Sequence, residues 1–271
     1  MGRQATSPIE LCSLTVRQAA LPELIDVAAH AGFDTVTVTP HHVVACGHDV
    51  AALRARSDAA GVAIGYLDGL GRGLPGITRG ESPDAVFDMA EGLGVTLVNV
   101  VHYGGDPGVP AAMMVDALGA LTERAASRGL RLVVEFIPGT AIPDLPTALT
   151  MVRAVASDHL RVLLDTWHLG RSGGGPELIV GDVPSLIGAL QVSDRRRSQD
   201  LEPYVPMSGR LLPGDGELPL RELLGPIVSA QPLLPVGVEV ANDDLLAASP
   251  VDAAHAAAAA IRGVLSAIDL G

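Results

Sequence analysis

Four apolar segments of this chain each carry, at or near their end, a side chain able to bind a hard metal ion: Glu135 in LVVEFI, Asp165 in VLLDTWH, Gln191 in ALQVSD and Glu239 in VGVEVA. An acidic residue inside a run of Val, Ile and Leu costs several kcal/mol to bury unless it is paired or coordinates a cation. Three carboxylates and one carboxamide at equivalent places in successive segments therefore suggest convergence on a shared centre. Mg2+ and Mn2+ prefer such oxygen donors, so they suit the set better than Zn2+ or Co2+, which stay compatible with it. His168 follows Asp165 by three residues in DTWH, where its imidazole can face a substrate hydroxyl or support the centre from behind.

The elements that must position these groups follow one grammar. A helical stretch ends in a small residue plus Gly, at Gly32, Gly61, Gly94 and Gly129, and a β-rich run begins at once. The repeat is roughly 30 residues, the size of a strand and helix unit. Strands are expected near 9–15, 35–39, 63–68, 96–102, 131–137, 161–166, 189–193 and 235–241, with a final helix at 250–268. Eight alternating units favour a closed (β/α)8 barrel over an open doubly wound sheet, and no GxGxxG follows the first strand as a dinucleotide-binding sheet would require. The loops 69–82, 103–110 and 195–219 each follow the carboxyl end of a strand, the end that carries the site in barrels. Within the first of them, GLGRG at 69–73 reads as a flexible loop, with a phosphate cradle assisted by Arg72 or Arg79 as its alternative.

Length and composition bound the function. The 271 residues fit one α/β barrel domain over 1–271, for which about 250 residues is usual. Eighteen basic residues against 31 acids give a formal charge of −13, which disfavours nucleic acid and anionic membrane as partners and leaves a small-molecule substrate. Every basic residue is Arg. With no Lys, Schiff-base aldolases, pyridoxal phosphate enzymes and P-loop hydrolases are excluded. Cys12 and Cys46 are too few for a disulfide framework or a zinc ribbon, and they read as small hydrophobes. No signal-peptide pattern opens the chain and no apolar run is long enough to span a bilayer, so a cytoplasmic enzyme, open to homo-oligomerisation, is expected.

The same residues resemble the xylose-isomerase-like barrels, which include sugar phosphate isomerases, ketose 3-epimerases, inosose dehydratases and apurinic endonucleases. The resemblance spans nearly the whole chain. It rests on Glu135, the Asp165-x-x-His168 pair, Gln191-Val-Ser-Asp194, LLPGDGELPL at 211–220, and Glu239, with Gln191 standing where the family commonly has His. It implies one divalent metal ion, Mn2+ or Mg2+ favoured, held by Glu135, Asp165, Gln191 and Glu239. It further implies proton abstraction next to a metal-bound carbonyl through an enediolate, with Glu135 and Glu239 as catalytic residues on opposite faces of the substrate. His168, Arg197, His102 and Arg210 are the matching candidates for substrate binding.

A metal-dependent isomerase or epimerase of a small sugar, sugar phosphate or related polyhydroxy carbonyl compound is thus the leading expectation. Dehydration of an inosose-like or cyclic keto substrate is second, because both reactions begin with the same proton. A non-catalytic binding barrel is third; its acids would face one another without a neutralising ion. Phosphodiester cleavage is disfavoured because Met207 and Gly209 stand where further zinc ligands would fall.

Overall fold

The computed structural model describes residues 7–196, 202–205 and 208–268. Eight parallel strands close into a barrel in chain order: β1 (Ile9–Cys12), β2 (Thr35–Val38), β3 (Ala63–Leu70), β4 (Leu97–Val101), β5 (Arg131–Glu135), β6 (Leu160–Asp165), β7 (Ile187–Val192) and β8 (Val236–Val238). Helices cover the outside, and the last runs over Pro250–Ser266. Gly32, Gly61, Gly94 and Gly129 all take positive φ, between +68° and +75°, as their place between helix and strand requires.

The first and last strands fall furthest short of the spans the sequence predicts, for one reason. After Cys12 the chain turns into a single 3-10 coil over Ser13–Val16, and the Thr15 hydroxyl donates to Val238 O at 2.8 Å while accepting from Val240 N at 3.0 Å. Between β1 and β8 a side chain thus takes the place of backbone pairing beyond residues 12 and 238. This staple closes the barrel between its first and last strands, and Glu239 lies between the two atoms it grips.

Alternation along each strand sorts the interior into layers. The middle layer is apolar and includes Tyr66, Val133, Leu163 and Ala189. Two residues further along, the same inward rows reach Asp68, Glu135, Asp165 and Gln191 at the C-terminal mouth; the register pairs Leu163 with Ala189 and Asp165 with Gln191. Outside, the helix Leu21–Ala31 buries Leu24, Ile25 and Ala28, and the helix Pro83–Leu93 buries Val86, Phe87 and Ala90, the spacing of an amphipathic helix on a sheet. Among the described residues no helix is long and apolar enough to cross a membrane.

One inward acid sits below the upper layer. Glu10 of β1 is buried, and its Oε2 accepts from Thr35 Oγ1 at 2.9 Å. Only glycine fits beside it at position 65, where a Cβ would come within 1.9 Å of that oxygen. Burial pushes the Glu10 carboxyl up to about 8; the Thr35 hydrogen bond partly opposes this and the Asp68 charge adds to it.

The folded chain therefore keeps a proton on Glu10 up to about pH 8, whereas the unfolded chain releases it near 4.5. Across that window the unfolded state binds fewer protons, so stability falls as pH rises, by up to about 1.4 kcal/mol per pH unit for one such group. Glu10→Gln should flatten the decline between pH 4.5 and 8 in denaturant unfolding curves. A profile that parallels the unsubstituted protein would mean that Glu10 is already ionised in the fold.

Candidate metal centre and active site

The strand ends bring Glu135, Asp165, Gln191 and Glu239 to one buried centre, each at most 6 % exposed. Asp165 ends β6 and caps the helix Thr166–Arg171: its Oδ1 accepts from the N–H groups of Trp167 at 2.7 Å and His168 at 2.9 Å. That leaves Oδ2 facing the centre. Glu239 follows β8 directly and its N–H donates to Val192 O at 3.1 Å. Gln191 Nε2 donates to Glu239 Oε1 and to Asp68 Oδ2, both at 2.9 Å. With its nitrogen committed to two carboxylates, the Gln191 amide oxygen is buried without a partner.

Two residues that the sequence reading passed over complete the ring. Asp68 on β3 and Asn99 on β4 are joined by Asn99 Nδ2, which donates at 2.7 Å to Asp68 Oδ1 and to Glu135 Oε2. Asn99 carried a legible signal, a polar residue amid LVNVV and in the inward row, and Asp68 in AIGYLDGL carried another. Tyr204 is the third omission; its hydroxyl lies 3.1 Å from His168 Nδ1, and no local sequence pattern marks it.

Arg210 is the cation of this acidic ring. It is 1 % exposed, with Nη1 donating to Asp165 Oδ2 at 2.7 Å and Nη2 lying 3.4 Å from Glu239 Oε2. The expectation that it contacts substrate is thereby qualified, since in this structure its guanidinium ties two of the four acids together. Its face stacks on the Trp167 ring, with the guanidinium carbon 5.0 Å from the ring centroid. Trp167 is buried, as expected of a residue in the barrel wall, but it also carries this cation.

The electrostatics follow from four carboxyls that share one guanidinium among the described residues. Burial, then the charges of Asp68 and Asp165, push the Glu135 carboxyl well above the usual carboxylate range. Burial does the same to Glu239, against the opposing pull of Arg210. Asp68 is raised by burial, less so because Asn99 and Gln191 donate to it. For Asp165 burial is outweighed by Arg210, His168 and backbone N–H groups, so its carboxyl lies below the ordinary value. His168, with Nε2 3.3 Å from Glu135 Oε1 and 3.7 Å from Asp165 Oδ2, is pushed down to about 4 by burial, with Asp165 opposing and Arg210 assisting. It is a neutral imidazole near pH 7.

Asp194, two residues beyond β7, folds the loop above the centre. Its carboxylate accepts the N–H groups of Arg195, Gly214, Gly216 and Leu218 at 2.8 to 3.1 Å, and its backbone pairs with Leu211 in both directions. Leu211 is next to Arg210, so this clamp sets where the guanidinium enters. Beneath the loop a cavity of about 230 Å3 is lined by Glu135, His168, Glu239, Tyr204 and Tyr103.

Other expected residues lie elsewhere. His102 is fully buried, but Nδ1 accepts from Ala141 N and Nε2 lies 3.0 Å from Pro75 O, so both nitrogens are spent on backbone and neither is left for a substrate. Two histidines that follow β2 stand near the same rim: His42 is bonded to Thr39, and His41, exposed, faces the outer part of the mouth. Leu70 and Leu74, at either side of Gly71–Gly73, are buried, so the GLGRG segment is anchored. Arg197 lies outside the described residues.

Comparison with known proteins agrees with this architecture. The chain is 28% identical over 250 residues to a 3-dehydroshikimate dehydratase of Pseudomonas aeruginosa, an alignment covering 84% of this chain but only 37% of that protein. The chain thus spans little more than a third of the length of that relative. It is 27% identical over 253 residues, 80% of this chain and 84% of the relative, to a Streptomyces coelicolor protein named "Putative hydroxypyruvate isomerase". Among solved structures, an IolI protein with a bound zinc atom superposes with a TM-score of 0.84 at 17% identity, over 96% of this chain and 99% of its own. The sequence profile of one family matches residues 25–264, and with the closed eight-stranded fold that match makes the chain a member of the xylose isomerase-like TIM barrel family.

Proposed function

We propose that the chain is a divalent-metal-dependent enzyme that removes a proton next to the carbonyl of a small polyhydroxylated compound, and that the reaction is a dehydration. The observation that carries this reading is the orphaned Gln191 oxygen among carboxylates: an acceptor buried beside Glu135, Asp165 and Glu239 calls for a cation, not a hydrogen-bond donor. Glu135, Asp165 and His168 offer donor atoms within 4.8 Å of one another. Glu135, Asp165, Gln191 and Glu239 would hold the ion, with His168 beside it. When bound, it supplies a Lewis acid that polarises a carbonyl and offsets developing negative charge.

The residues of the chain supply the rest. His168 is neutral, lines the cavity and is oriented by Tyr204, which suits it to accept a proton from carbon. In a dehydration the same imidazole can return that proton to the departing hydroxyl on the same face, so that a C–H and a C–O bond break and water leaves. Tyr103 and Tyr204 border the cavity and limit its access to water. Epimerisation, the leading expectation from sequence, needs Glu135 and Glu239 as two free bases. Glu239 is held by Gln191 and Arg210, which favours chemistry with a single base. The dehydratase relative supports the same order, while the isomerase-named relative keeps 1,2-proton transfer as the second reading.

Glu239→Gln should abolish turnover with the fold retained and lower the metal content in elemental analysis; near-normal activity under saturating metal would refute its role as a ligand. Gln191→His should move metal preference toward Zn2+ or Co2+ in a titration. His168→Asn should lower kcat by about 100-fold to 10,000-fold while leaving metal content unchanged, the range for a lost general base. Loss of the metal in that variant would instead make His168 a ligand.

The reaction type is read by offering cyclic hydroxy ketones, ketoses and keto acids in deuterated water. A dehydration is expected to produce a new conjugated chromophore. Deuterium incorporation without a chromophore would establish isomerisation or epimerisation instead.

A further inference from the structure

The barrel is also open at its other end, where a cavity of about 500 Å3 enters the N-terminal mouth. Strand alternation accounts for its lining. Arg131 and Arg161 stand four residues before Glu135 and Asp165 in the same inward rows, so rows that finish in carboxylate at one mouth begin in guanidinium at the other. Both arginines line the cavity, as does the 231–235 segment that leads into β8.

These two arginines differ from others on the surface. Arg56, Arg124, Arg128 and Arg153 each pair with a carboxylate. Arg131 has no side-chain partner among the described residues, and Arg161 donates only to the neutral Gln231 amide at 3.2 Å. In a chain with 31 acids against 18 basic residues, two guanidiniums in one cavity lack a carboxylate, although Asp158 lies along the same wall. At the inner end the Tyr66 hydroxyl is buried without a partner. Glu10 is also there, and burial keeps it protonated to about pH 8, so it adds no negative charge. Leu97 and Val133 give the wall an apolar surface, and Leu233 at the lip is 82 % exposed.

We propose that this mouth is a second ligand site, for a small organic carboxylate whose anionic group sits on Arg131 and Arg161 and whose apolar body lies against Leu97, Val133 and Leu233. A planar guanidinium matches a carboxylate edge to edge. The helices of the barrel end at this face, and their C-termini carry partial negative charge, which favours a monoanion over a phosphate dianion. The site is independent of the reaction proposed at the opposite mouth.

Benzoate is the probe. Titrated into the full chain, it should raise Tm and shift the NMR signals of residues on the N-terminal mouth, whereas the neutral benzamide should do neither. Arg131→Gln, at an exposed position, should weaken benzoate binding by about tenfold or more, as expected for loss of a charge-assisted pair. Arg161→Gln should weaken it as well, and Glu135→Gln, at the other end, should leave it unchanged. The proposal is overturned if benzamide protects equally, if inorganic phosphate competes ahead of benzoate, or if millimolar benzoate has no effect. It is equally overturned if Glu135→Gln abolishes the response while Arg131→Gln preserves it.

Discussion

Three buried carboxyls and a half-buried fourth, with one guanidinium beside them among the described residues, are the constraint on which the upper half of this barrel depends. Among the described residues only Arg210 opposes Asp68, Glu135, Asp165 and Glu239, so burial and mutual repulsion drive three of them toward the protonated form. Asp165 alone is stabilised as the anion, because Arg210, His168 and the amides of its own helix converge on it. The amides of Asn99 and Gln191 act as spacers, each placing one nitrogen between two acids. Crowding this many carboxyls together is costly as a scaffold and reasonable as a cation site.

The fold was readable in the sequence because both its periodicities were undisturbed. Left-handed glycines ended helices where expected, and all eight strands lie where their apolar runs are. The ends of β1 and β8 were not readable, since Thr15 replaces backbone pairing with side-chain bonds to residues more than 200 positions away. The convergence of Glu135, Asp165, Gln191 and Glu239 was legible because each stands at the equivalent end of an apolar run, where an unpartnered acid is costly to bury. Asp68 and Asn99 obey the same alternation, and a polar residue in an apolar inward row could have marked them in advance. Tyr204 and the pairing of Arg210 with Asp165 could not have been so marked, because long loops fold according to contacts that no local pattern encodes. The Asp194 clamp that orders the Arg210 loop depends on four backbone amides, and those carry no residue identity.

His102 shows the limit of reasoning by position. It occupies the end of a strand at the mouth that carries the site, yet both its ring nitrogens hold neighbouring loops together. Position in the barrel brings a side chain to the rim; only its hydrogen bonds decide whether it is free to act. His168 is the opposite case, with one nitrogen oriented by Tyr204 and the other turned to the acids.

The Thr15 staple has a consequence for how the protein comes into being. Glu239 is aligned by a hydroxyl from the coil that follows β1, so two segments more than 200 residues apart must meet before the ring of acids is complete. Until β8 docks between β7 and β1, Gln191 faces a gap where its neighbour belongs. A ribosome-bound fragment lacking that strand would hold a half-formed anionic cluster with weak grip on any ion, and cation capture would coincide with closure of the barrel.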